Sequence, residues 1–462
     1  MRQLCWWSGV LCVAAACASS WAAEIGTGLT KTRPEMKRKI EALKGREARI
    51  PLPTLTPAEI AAGRRSVNNA RLRSIYLPES WQSSNFSMRS SSRTSPGQAQ
   101  PQTESQRLSQ LLNQMQQAPD YGFKTRLFWI VSRTNDCQYC LGHQELKLHR
   151  VGMTEDQIAS LDCKWTAFPA NEQAAMRFTR KVTLTPHLVT NEDIAAMKQH
   201  FTDEQFVDLL QTIAGYNSIN RWTSSTGIPQ DQSFGSEEPS QLDTPTSDEF
   251  SKMKTQVAPF DYQPRAAWES RAEAEAAMAA CRNRTPSVKL PSIEAARQAL
   301  AADTPGVTPP AWVQAAAYSP TSALRLWKHR QAIARDGKLD PKLKTQIAWV
   351  VTRENRAWYS LAHARTRLNA LGVTDDVLFA IGASEDAFTP TERATFAFAR
   401  KLTSAPHTIV DEDVAGLRKL FSDNEVAEII FLTCDANMFD RFTEMLRLPL
   451  EENMVLVGQT LR

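Results

Sequence analysis

The chain repeats itself. The segment KTRLFWIVSRTNDCQYCLGH, Lys124 to His143, matches KTQIAWVVTRENRAWYSLAH, Lys344 to His363, at a constant offset of 220 residues. The register then holds without a gap from Lys124 to Pro229 and from Lys344 to Pro449. Gly152 meets Gly372, Arg180 meets Arg400, Pro186-His187 meets Pro406-His407, and Asn217 and Arg221 meet Asn437 and Arg441. Two copies so far apart describe a duplicated domain; a solenoid needs several short repeats stacked in succession. A length of 462 residues leaves room for both copies and for further segments around them.

Each copy reads as helical. Leu108, Leu111, Leu112 and Met115 fall on one helix face, and Phe206, Leu209, Leu210, Ile213 and Ile219 repeat the pattern later in the copy. Thr154-x-x-Gln157, Thr202-x-x-Gln205 and Ser422-x-x-Glu425 fit the capping box, in which two side chains satisfy orphan backbone donors at a helix start. The apolar run Leu127 to Val131 reads as buried helix. Strand signals are weak, so the expected fold is all-α, two tandem helical bundles joined by flexible linkers. Residues 108–230 form the first domain and 311–462 the second. Ser/Gln-rich 82–107 and Ser/Pro/acid-rich 231–262 read as linkers, 263–310 as a connecting helical segment holding an Ala/Glu-rich helix over 266–284, and 23–81 as an extension with no assigned task.

Residues 1–22 read as an export signal: Arg2, the apolar stretch Val10 to Ala16, and small residues before a cut between Ala22 and Ala23. The expected location is therefore outside the cytoplasm, in the periplasm, with Cys17 after Ala14-Ala15-Ala16 a weaker candidate for lipid anchoring. Beyond the signal no apolar run is long enough to span a membrane. Lys and Arg number 54 against 50 Asp and Glu, a near balance that argues against a nucleic-acid partner. Cys5, Cys12 and Cys17 leave with the signal, and the five that stay, Cys137, Cys140, Cys163, Cys281 and Cys434, are too few and odd in number for a disulfide framework.

One constellation carries a mechanism, Asn135-Asp136-Cys137-Gln138-Tyr139-Cys140-Leu141-Gly142-His143. Asp136 or Asn135 is a natural N-cap for a helix toward His149, which places both thiols where backbone N–H groups and the helix dipole favour a thiolate. His143, three residues after Cys140, falls on the same face as a candidate proton shuttle. Zinc would need a second Cys-x-x-Cys or a matching His pair, and covalent haem a His where Leu141 stands, so neither metal nor cofactor is expected. A zinc half-site, an incidental buried pair and a structural disulfide are the bland alternatives to redox use. Most remaining repeated polar residues, His187, His407, Asn217, Arg221, Asn437 and Arg441, read as structural.

With NDCQYCLGH, the following LHRVGMTEDQI, TPHLVTNEDI and YNSINRWTSSTGIP, the chain resembles the alkylhydroperoxidase D-like and carboxymuconolactone decarboxylase family over both copies, roughly 105–230 and 320–450. The resemblance implies an all-α fold that commonly oligomerises and, in the thiol branch, peroxidase or disulfide-exchange activity. It makes Cys140 the peroxidatic thiol, Cys137 the resolving one and His143 part of a proton relay. Two positions depart from the family: its relay His falls at Gln144, and its upstream Glu at Thr125, with Glu145 a nearby carboxylate. The second copy has Ala357 and Ser360 in place of the cysteines, yet keeps His363. The leading expectation is an exported thiol-dependent peroxidase or disulfide oxidoreductase acting on a hydroperoxide or a protein disulfide, with a reducing partner still to be named. The second copy would complete in one chain a pseudo-dimer that relatives build from separate subunits. The alternatives are a non-enzymatic helical binding or assembly module with a structural Cys pair, and a lactone decarboxylase.

Overall fold

The computed structural model describes residues 28–61, 68–82, 121–230, 245–300 and 307–452. The segment read as an export signal, with its three cysteines, the helix face Leu108 to Met115 and nearly all of the Ser/Gln-rich stretch lie outside the described residues. The protein is all-α. Among the described residues there is no strand, only a lone bridge between Thr32 and Lys254. No helix of the described residues is long and apolar enough to cross a membrane.

Among the described residues, four short helices precede the first copy: α1 (Arg33–Ala42), α2 (Pro57–Ala61), α3 (Asn69–Tyr76) and α4 (Glu79–Gln82). The first copy supplies α5 (Tyr121–Thr134), α6 (Gln138–Arg150), α7 (Glu155–Cys163), α8 (Ala170–Leu184), α9 (Asn191–Lys198) and α10 (Asp203–Thr226). Between the copies run α11 (Asp248–Ser251), α12 (Arg271–Ala280), α13 (Ile293–Leu300), α14 (Ala311–Ala316) and α15 (Pro320–Arg335). The second copy is α16 (Pro341–Asn355), α17 (Trp358–Ala370), α18 (Asp375–Ala380), α19 (Pro390–Ser404), α20 (Asp411–Arg418) and α21 (Asp423–Met445). Every helix of the second copy starts 220 residues after its counterpart in the first.

The starts are local chemistry. Thr202 and Ser422 accept the backbone N–H groups of Gln205 and Glu425, whose side chains reach back to the cap residue, at the heads of the two longest helices. Gly227, with φ +63°, ends α10 in the left-handed region that glycine enters freely. A β-carbon at Gly227 would also come within 2.8 Å of the Arg49 side chain. Leu127, Ile130 and Val131 sit buried inside α5, as the apolar run requires.

Helices α10 and α21 pack against each other at the centre of the molecule. Across this seam Arg221 Nη2 donates to Thr403 O at 3.0 Å, and Arg441 Nη2 donates to Thr183 O at 2.9 Å. Each of these residues is the 220-offset counterpart of another, so the contact is reciprocal, as at a two-fold interface. The extension is built into the fold. Trp81 stacks on Phe431 with centroids 5.3 Å apart and donates to Ala332 O, and Arg49 joins Ser224 O of the first copy to Asp411 and Ile409 O of the second. The stretch read as a linker over 231–262 also docks where it is described: Val257 and Ala258 are buried, and Gln256 N–H donates to Asp162 O.

Candidate dithiol site

Between α5 and α6 the chain turns in three residues, Asn135, Asp136 and Cys137. Asn135 pins the turn, donating to Asn217 Oδ1 at 3.2 Å and Asn220 Oδ1 at 3.1 Å on α10. Asp136 adopts φ +49°, a left-handed conformation that Asp tolerates better than most residues. Its carboxylate accepts from Gln138 Nε2 at 2.7 Å and faces Lys39 and Arg133. The N-cap is therefore Cys137, not Asp136 or Asn135, and the Asp136 carboxylate binds the Gln138 side chain instead of capping a backbone N–H. Cys140 becomes the third residue of α6.

Both thiols are free and buried, Cys137 at 1% and Cys140 at 2% exposure. One hydroxyl touches both: Thr223 Oγ1 lies 3.2 Å from each sulfur. Burial pushes the Cys137 thiol up, but hydrogen bonds from the Cys140 thiol, Ser224 and Thr223 outweigh it and bring it down from 9.0 to about 7. Cys140 goes the other way, well above 9.0, since burial and an adjacent Cys137 sulfur both oppose a charge there. The first proton lost from the pair therefore comes from Cys137, and the site favours keeping the resulting charge there. The other three described cysteines are pushed up by burial, Cys163 to about 11 and Cys281 to about 12, with Cys434 higher still, so they are poor thiolates at neutral pH.

A cavity of about 90 Å³ opens on Cys137 but is not lined by Cys140. Its wall joins three parts of the chain: Arg46 from the extension, Thr223 and Ser224 from α10, and His407 from the second copy. Burial and Arg49 lower Arg46 to about 10, while Asp411 and a Cys137 thiolate favour its charge. Burial, with Lys39 nearby, keeps the His407 imidazole below its usual range and hence neutral at pH 7. His187, its counterpart, faces Arg356 and Trp358 beside the replaced Ala357, so each copy lends its Pro-His turn to the other copy's α6 or α17 start.

The sequence places His143 on the thiol face of α6, and the structure gives its ring these partners. Its Nδ1 lies 2.9 Å from Tyr139 O and 3.5 Å from Gln230 Nε2, and the ring packs on Tyr139. Glu145, the nearby carboxylate, is held by other partners. It is fully buried, accepts from Trp129 Nε1 at 2.6 Å and is paired with Arg33, whose guanidinium also grips Glu155. Burial works against the Arg33 charge, yet the two carboxylates raise it above its ordinary value. Glu145, His149 and Glu155 come close enough to share an ion, but Arg33 and Lys37 already supply the cations there. Thr223, Arg46 and Arg33 were not singled out by sequence. A signal existed for Thr223, which recurs as Thr443 at the same offset, whereas the two arginines belong to the unrepeated extension.

The fold and this site define an all-α protein in which two like helical units enclose a single dithiol at a helix start. No family model matches the chain. Over 102 residues, 21% of this chain and 68% of the relative, it is 30% identical to a Bacillus subtilis (strain 168) protein named Uncharacterized protein YdfG, and the chain belongs to that protein's family. That name states no activity.

Proposed function

We propose that the first copy is a dithiol peroxidase centre, of the thiol branch of the alkylhydroperoxidase D-like proteins, with Cys137 as the attacking sulfur and Cys140 as the resolving one. The observation that carries this reading is the pair of sulfurs held on one hydroxyl, with the lowered thiol facing the cavity. It reverses the order of the two thiols that the resemblance implies. The Cys137 thiolate attacks the terminal oxygen of a hydroperoxide, the O–O bond breaks, and the alkoxide leaves as alcohol after taking a proton, giving a sulfenic acid. The Cys140 thiol, as thiolate, then attacks that sulfur, the S–O bond breaks, and hydroxide takes the released proton to leave as water. The resulting disulfide is reduced by an external dithiol, which ends as a disulfide itself. A hydroperoxide suits a cavity of about 90 Å³ better than a protein disulfide does.

The test is a stopped-flow reaction of the reduced protein with cumene hydroperoxide. Wild type is expected to lose two thiols per peroxide, Cys140→Ser to stop at a dimedone-reactive Cys137, and Cys137→Ser to slow by at least about 100-fold. A Cys137→Ser protein that consumes peroxide at the wild-type rate overturns the proposal. The competing reading, a structural pair in a binding module, is favoured by the near-complete burial of both sulfurs. It is sustained if neither thiol of the reduced protein reacts with peroxide or with methyl methanethiosulfonate.

A further inference from the structure

The second copy has lost its thiols, yet it holds a cavity of about 110 Å³ at the matching place. The reason is visible in the repeat. In the first copy Phe128 and Tyr216 stack beside the thiols, centroids 3.8 Å apart and planes within 4°. Their counterparts in the second copy are Ala348 and Ala436, both of which line the cavity together with Ser360, the counterpart of Cys140. Replacing two stacked rings by two methyl groups opens apolar space, which costs a fold stability unless something fills it.

The walls say what would fill it. Trp312, Ile333, Leu432 and Phe439 give an apolar body, while Arg330, Lys344 and Arg367 bring three cations against the one carboxylate of Asp435, itself held by His329 and Arg330. Asp440 adds a polar group of a different kind. It is fully buried, its Oδ2 accepts from Asn355 Nδ2 at 2.9 Å, and its Oδ1 has no hydrogen-bond partner among the described residues. Burial raises its carboxyl to about 8 even though Asn355 and Ser360 favour the charge, so at pH 7 it carries a proton that an incoming oxygen can accept. An apolar pocket with a few convergent polar groups is the usual form of a small-molecule site.

We propose that this cavity binds a small organic carboxylate with an apolar body, its charge met by Arg330, Lys344 and Arg367 and its apolar part filling the space left by the two ring-to-alanine exchanges. The site is separate from the thiols and stands whether or not the first copy reduces peroxide. Isothermal titration of the full chain with benzoate and hexanoate, beside the neutral benzamide and hexanamide, tests it. At least one carboxylate is expected to bind with micromolar to low-millimolar Kd, about tenfold or more tighter than its amide. A348F/A436Y, which restores the first copy's ring pair, is expected to abolish binding, and Arg367→Gln to weaken it about fivefold or more. Circular dichroism reports whether A348F/A436Y is folded, and Arg367→Gln decides if it is not. No binding of either carboxylate, equal binding of the amides, unchanged binding by folded A348F/A436Y, or unchanged binding by Arg367→Gln each overturns the proposal.

Discussion

At the scale of single residues, the charge on Cys137 governs both reactivity and stability. Its thiol is lowered from 9.0 to about 7 in the fold, so the folded state releases that proton before the unfolded chain does. The stabilisation is then full above about pH 9 and is lost as pH falls through about 7. Reduced wild type should gain stability relative to Cys137→Ser between pH 7 and 9, by on the order of 2 kcal/mol in urea unfolding. Equal slopes for the two proteins across that window would remove the lowered thiol. Asp440 behaves in the opposite sense. Burial raises it from 3.8 to about 8, so the folded state keeps a proton that the unfolded chain gives up, and stability falls as pH climbs from about 4 to about 8. Asp440→Asn, which installs the residue the first copy has at Asn220, should match wild type near pH 4 and exceed it at pH 8 by on the order of 5 kcal/mol. Thermal unfolding at the two pH values would show it, and a variant less stable than wild type at pH 8 would contradict the assignment.

Among the elements, what the sequence disclosed and what it hid divide by range. The capping boxes at Thr154, Thr202 and Ser422 and the buried run inside α5 were legible, because a cap or an apolar face is written within four residues of itself. The Cys-x-x-Cys was legible for the same reason, but its N-cap falls at Cys137 rather than at Asp136 or Asn135, since Asp136 takes a left-handed turn, as its counterpart Arg356 does, and no shared residue type marks that turn. The extension was opaque. Its α1 is amphipathic only over ten residues, and what matters in it is Arg33, which pairs with Glu145 and Glu155 more than a hundred positions away. Helical spacing put His143 on the thiol face, but the bond of its ring to Tyr139 O, one turn back, is not written in that spacing. The weight on α1 can be measured. Arg33→Met leaves two buried carboxylates short of their main cation, and breaking such a pair costs roughly 3–5 kcal/mol. The double variant R33M/E145Q should recover part of that loss in denaturant unfolding, whereas equal or greater loss would mean that Arg33 acts through packing alone.

At the scale of the molecule, the repeat told that there are two like units and said nothing of how they meet, because similarity at an offset of 220 is not contact. The meeting is reciprocal. Arg221 and Arg441 cross the α10–α21 seam in opposite directions to Thr403 O and Thr183 O, and each also holds the Asn four residues before it. Two buried guanidinium groups are thereby brought near one another. Burial pushes Arg441 well below its ordinary value, and the charge of Arg221 pushes the same way, while burial takes Arg221 down to about 10. Attraction to the carbonyls and repulsion between the cations therefore oppose each other at this seam. Replacing either by Met strands buried carbonyl oxygens and should cost about 2–3 kcal/mol. The second replacement removes a group that the first has already relieved of its repulsion, so its whole set of hydrogen bonds is lost with no compensating relief. R221M/R441M should then cost more than the sum of the single variants, by about 1 kcal/mol in a double-mutant cycle followed by urea unfolding. A cycle that closes to zero would mean that the two cations do not sense each other, and that the seam is held by packing of α10 on α21 rather than by a balance of buried charge.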